Sequence, residues 1–140
     1  MSFREKSAWI SLVLIAVFLG AYFWNVSLVL SGEMRQAAAM HWQLALVVGF
    51  VVLEIVLHVA IAIQSPRDAR APKDERERLI SLKATHIAYF VLLGGTLLSL
   101  FAHWHLGWGA YATTQHVLLA VVAAELVKFA SQIVFYRRGV

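Results

Sequence analysis

The chain has 140 residues, of which 61% are hydrophobic and 14% charged, with a mean hydropathy of +0.73; these values lie outside the range of soluble domains. At about 20 apolar residues per helical crossing, this length is expected to hold at most about four or five spans and to leave no room for an extramembrane domain. Cysteine is absent, which excludes disulfides, thiol relays, iron–sulfur clusters and thiolate zinc sites. The net charge of +4 sits beside the ends of apolar runs rather than on a polar face, so it reads as a topology signal and not as a surface for nucleic acid.

A short charged start, Phe3 to Lys6, leads into a first apolar run over about 7–30. A signal peptide is the competing reading, because Ala37-Ala38-Ala39 follows, but such cores run about 7–15 residues and this one is longer. It is therefore expected to stay as a span. Tyr22, Phe23 and Trp24 lie near its far end, where amphipathic rings favour the headgroup level. A polar loop, Ser31 to Met40, precedes the second run at 42–63.

The charged segment 64–83 follows, and from Ser65 to Lys83 it carries six of the twelve Lys and Arg residues. A third span is predicted at 84–103, with Gly94-Gly95 inside it. In a membrane helix paired glycines permit close helix contact more often than they break the helix. His103 to Thr114 reads as an uncharged turn, and a fourth span at 115–136 ends in Arg137-Arg138.

Lys and Arg number two at the amino end, six in the segment between the halves and two at the carboxyl end, whereas the two remaining loops share only Arg35. This bias puts both termini and the 64–83 loop on the cytoplasmic side. The expected fold is all-α: a bundle of four transmembrane helices arranged as two hairpins, in one domain. A parallel internal repeat would suit two hairpins that start on one side, but residue identity between the halves is poor.

Asp74-Glu75-Arg76-Glu77-Arg78, followed by Leu79-Ile80 and by Lys83 just before a span, resembles the D-E-R-[DE]-R box in a cytoplasmic loop of a family of small bacterial integral membrane proteins of uncharacterised function. The resemblance covers about a third of the chain. It implies the bacterial cytoplasmic membrane and supplies no catalytic residues. By its own chemistry the box reads as the first turns of the third helix. Pro72 suits a helix start and acidic residues complement the helix dipole, while Asp74–Arg78 and Lys73–Glu77 are spaced as i,i+4 pairs. The alternative reading is a docking site for a cytoplasmic partner.

Ionisable residues inside a span cost about 2.5–3.5 kcal/mol each on insertion scales. Glu54 and His58 on the second span are four apart, and Glu125 and Lys128 on the fourth are three apart, so each pair shares a helix face. Gln132 continues the second stripe. Counting from the span ends puts both acids near mid-depth. Two readings stand: a neutralised cluster between the second and fourth spans that fixes which helices meet, or a proton or ion relay through Glu54, His58, Glu125 and Lys128.

Six histidines raise a haem reading. His41 and His58, like His86 and His103, are seventeen apart, which leaves each pair about 100° apart around its helix; a single haem between His58 and His86 is the surviving form. His103, His105 and His116 could bind zinc or copper through imidazole, but their loop offers no carboxylate in support. Ser27, Ser99, Ser131 and Asn25 read as helix-contact or backbone-bonding residues.

No nucleophile–base–acid arrangement, phosphate-binding loop, HExxH or nucleotide fingerprint is read from the sequence. An enzymatic reading therefore has no support, and no cofactor is assigned. The leading expectation is a small non-enzymatic membrane protein that acts through helix–helix contact, as a homo-oligomer or with a larger membrane partner. The first alternative is a proton- or cation-coupled transporter or channel component, and the second is a haem- or metal-binding redox protein.

Overall fold

A computed structural model of the chain describes residues 3–64, 66, 72 and 74–138. The described residues are helical apart from short turns and contain no strand. Four helices run α1 Phe3–Leu30, α2 Gln36–Gln64, α3 Glu75–Leu106 and α4 Ala110–Arg138. All four are long and apolar enough to cross a membrane. At about 1.5 Å per residue they exceed a hydrocarbon core of about 30 Å, so their ends reach the headgroup level. Of the predicted pairs in the charged box, Lys73–Glu77 lies outside the described residues.

The chain divides into two compact units, Met1–Ala71 and Pro72–Val140, each built on one hairpin. In the first, α1 packs on α2. Ala8, Ser11, Ile15, Tyr22 and Asn25 are buried, and with Phe18 they recur every three or four residues, the spacing of one helix face. Phe18 meets Phe50 of α2 with ring centroids 5.0 Å apart. After α1 the chain turns at Gly32, whose φ of +79° lies in the left-handed region that glycine tolerates best.

In the second unit α3 packs on α4 through small residues. Ala84, Ala88, Ser99 and Ala102 of α3 and Ala120 and Ala124 of α4 are buried. A Cβ placed on Gly95 would stand 2.6 Å from the Ala120 Cβ, whereas one on Gly94 would meet nothing within 4 Å. Of the glycine pair, then, Gly95 is the contact. Dispersion and lipid release drive association between membrane helices, and both reward such close approach.

The turn at the far end of this hairpin is shorter than predicted. Helix continues through His103 and His105 to Leu106, stops at Gly107 with φ +68°, and restarts at Ala110. Similarly, α2 begins at Gln36, inside the segment expected to be loop. Both differences have one cause: alanines and hydrogen-bonded polar residues next to an apolar run extend a helix that is already nucleated.

Asp74 is the N-cap of α3. Its carboxylate accepts from the Glu75 amide at 2.7 Å, and Glu77 Oε2 accepts from the Asp74 amide at 3.3 Å, which completes a capping box. Arg76 donates through Nη2 to the Tyr136 carbonyl at 3.3 Å, so it ties the start of α3 to the end of α4. The charged box is thus a helix start, with Glu75 and Arg78 exposed.

Candidate functional site

The polar residues of the first hairpin form a connected array. His58 Nδ1 lies 2.8 Å from the Glu54 carbonyl oxygen, an acceptor, so Nδ1 carries the hydrogen. In the neutral ring Nε2 is then the acceptor, and Ser7 Oγ stands 2.7 Å from it. Ser11 donates its hydroxyl to Glu54 Oε1 and its oxygen lies 3.5 Å from His58 Nε2. Ser7, His58, Ser11 and Glu54 therefore form one run of polar atoms, two from each helix.

The array is part-buried, with side-chain exposures of 33% for His58 and 25% for Glu54. Glu54 Oε2 is buried and has no hydrogen-bond partner among the described residues. In a low-dielectric setting a carboxylate with one neutral donor is poorly solvated. Nearer the other end of the hairpin, Asn25 Nδ2 lies 3.6 Å from Met34 Sδ, and its Oδ1 is also buried without a partner.

Hydroxyl, imidazole and carboxylate do come together in Ser7, His58 and Glu54, an order that the sequence reading did not anticipate. It is not a relay for nucleophilic attack. The Nδ1 hydrogen goes to the backbone carbonyl at 2.8 Å rather than to Glu54 Oε1 at 3.6 Å, and Oε1 takes the Ser11 hydroxyl instead. The carboxylate therefore does not hold the imidazole as a catalytic orienter does.

The second hairpin treats its acid differently. Lys128 Nζ donates to Glu125 Oε2 at 2.7 Å along α4, with side-chain exposures of 28% for the lysine and 44% for the acid. The same ammonium lies 5.0 Å from the centroid of the Phe129 ring. The Glu125–Lys128 pair is thus closed within its own helix, whereas Glu54 and His58 of α2 take their side-chain hydrogen bonds from α1. Ser99 Oγ donates to the Gly95 carbonyl at 2.8 Å, the backbone bond expected of it.

The outer histidines each have their own partners. His103 Nδ1 lies 2.7 Å from the Trp108 carbonyl oxygen and 3.1 Å from Thr113 Oγ1, which binds the ring into the turn. His105 stacks on Phe101 at 4.4 Å, and His116 on Trp108 at 4.1 Å. No group of three His, Cys, Asp or Glu among the described residues could hold a metal ion. These imidazoles serve turn and aromatic contacts.

Sequence reasoning missed Ser7 and Ser11. Their signal was present in the spacing of Ala8, Ser11, Ile15, Phe18 and Tyr22, which puts Ser11 on the buried stripe of α1. No protein-family model, no curated protein and no solved structure matches the chain.

Proposed function

We propose that this chain is a small non-enzymatic membrane protein that acts through helix association, with a second copy or a larger membrane partner, and that its intramembrane polar residues select which helices meet. The observation that carries this reading is where the polar groups spend their hydrogen bonds. Ser11 binds Glu54, Ser7 binds His58 and Lys128 binds Glu125, all inside one hairpin or one helix. The two bonds between α1 and α2 set helix rotation and register, whereas the pair within α4 neutralises its acid locally. The bacterial cytoplasmic membrane is the proposed site, in line with the resemblance of the Asp74–Arg78 box. Both termini and the charged segment 64–83 lie on its cytoplasmic side, a reading supported by the ten Lys and Arg residues beside those ends against Arg35 at the others. Exposed Glu75 and Arg78 are the box residues left for a cytoplasmic partner to read.

The second reading, a proton- or cation-coupled component, is favoured by one observation: the four polar side chains of the first hairpin are contiguous. A haem ligated by His58 fits less well, because Nε2 is engaged by Ser7 and Nδ1 by the Glu54 carbonyl. The two leading readings separate on Glu54→Gln and Glu125→Gln. Association predicts a lower Tm for both purified variants and, for wild type in vesicles, ion flux no greater than in protein-free vesicles. Wild-type proton flux that Glu54→Gln abolishes at unchanged Tm would transfer the conclusion to the coupled component.

A further inference from the structure

The start of the second hairpin carries a lysine and a histidine above an apolar groove. Lys83 is the last charged residue before the apolar run that begins at Ala84, and it therefore stands at the border between headgroups and hydrocarbon. His86 follows three residues later on the same face. Both are exposed, whereas Ile80, Ala84 and Ala88 turn the other face of α3 into the hairpin core. The His86 ring is edge-on to Phe90 at 4.9 Å. Lys83 has no hydrogen-bond or ion-pair partner among the described residues.

Lys83 and His86 border a groove of about 460 Å³ whose remaining walls are Leu82 and Ile87 of α3 and Phe135 of α4. That volume falls in the range of small-ligand sites, about 300–1,000 Å³. Arg76, Arg78, Arg137 and Arg138 lie at the same end of the hairpin, which the Arg76–Tyr136 bond closes, so with Lys83 five cations face the three acids Asp74, Glu75 and Glu77. A ligand for this place needs a negative head at the border and an apolar tail below it.

We propose that this groove binds one anionic phospholipid, its phosphate on Lys83 and His86 and an acyl chain along Leu82, Ile87 and Phe135. The proposal goes beyond the association reading and does not depend on it. A juxtamembrane cation favours anionic over zwitterionic lipid by roughly fivefold. Native mass spectrometry of the whole chain, released from micelles containing phosphatidylglycerol or phosphatidylcholine, should show a preference of about that size for phosphatidylglycerol.

Lys83→Gln/His86→Gln should abolish the preference, while the charge-matched control Arg35→Gln should keep it. Ile87→Trp should reduce retention of the lipid with Lys83 and His86 intact. Circular dichroism checks that each variant keeps its helix content. Equal retention of the two lipids by wild type, or a preference that survives Lys83→Gln/His86→Gln, would overturn the proposal. Full displacement of phosphatidylglycerol by an equal concentration of inorganic phosphate would overturn it too, since the site would then read a free anion and not a lipid.

Discussion

The two hairpins solve the same problem, an acid within a span, by opposite means. In the second, Glu125 meets the Lys128 ammonium at 2.7 Å on its own helix, and α3 and α4 touch through Gly95 and Ala120. In the first, Glu54 depends on the neutral hydroxyl of Ser11, across from it on α1, and the helices meet through aromatic rings beside a groove of about 300 Å³ lined by Leu14, Phe18, Trp42 and Gly49. An i,i+3 ion pair survives any change in helix separation. A hydroxyl–carboxylate bond between helices does not. Charge is therefore settled locally in one hairpin, whereas in the other it is coupled to packing, and the polar array of the first is where a change in association would be felt.

The strongest way to break this contrast is to remove the internal cation. Lys128→Met leaves Glu125 alone near mid-span, at an expected cost of about 2.5 kcal/mol on insertion scales. Adding Glu125→Gln should recover roughly half of that in a double-mutant cycle of thermal unfolding. Non-additivity near zero would mean that the pair contributes nothing. Next in size, Gly95→Ala drives a methyl into Ala120 and should cost about 1–3 kcal/mol, the range for overpacking. Gly94→Ala and Gly49→Ala enter open space and should be neutral or stabilising by about 0.4–1 kcal/mol. Similar losses at all three glycines would erase the packing difference.

Four helices, their pairing as hairpins and the Glu125–Lys128 contact were legible in the sequence, because run length and spacing along one helix follow from helix geometry alone. What lay between helices was not. Which of Gly94 and Gly95 faces α4, and that Ser7 and Ser11 reach His58 and Glu54, depend on how each helix is rotated against its neighbour. The turn was misjudged for another reason: His103, Trp104 and His105 look like an interfacial loop by composition, yet Gly107 and Gly109 were the residues able to stop a helix.

Substitutions at the two serines of α1 bear most directly on the coupling in the first hairpin. Ser11→Ala removes the donor to Glu54 Oε1 and, with Oε2 already unpartnered, leaves the carboxyl without a protein hydrogen bond among the described residues. A buried acceptor so stranded costs about 1–3 kcal/mol. Ser7→Ala removes one neutral bond to an imidazole whose Nδ1 stays anchored to the Glu54 carbonyl, so about 0.5–1.5 kcal/mol is expected. The order of the two matters more than their size. If Glu54 is the group that ties charge to packing, Ser11→Ala must be the more harmful, and Glu54→Gln must relieve it, because a neutral amide costs less than a carboxylate to leave poorly solvated. Equal unfolding temperatures for the two serine variants, with no relief from Glu54→Gln, would show that the hydroxyls merely fill space and that the first hairpin, like the second, settles its charge without help from its partner helix.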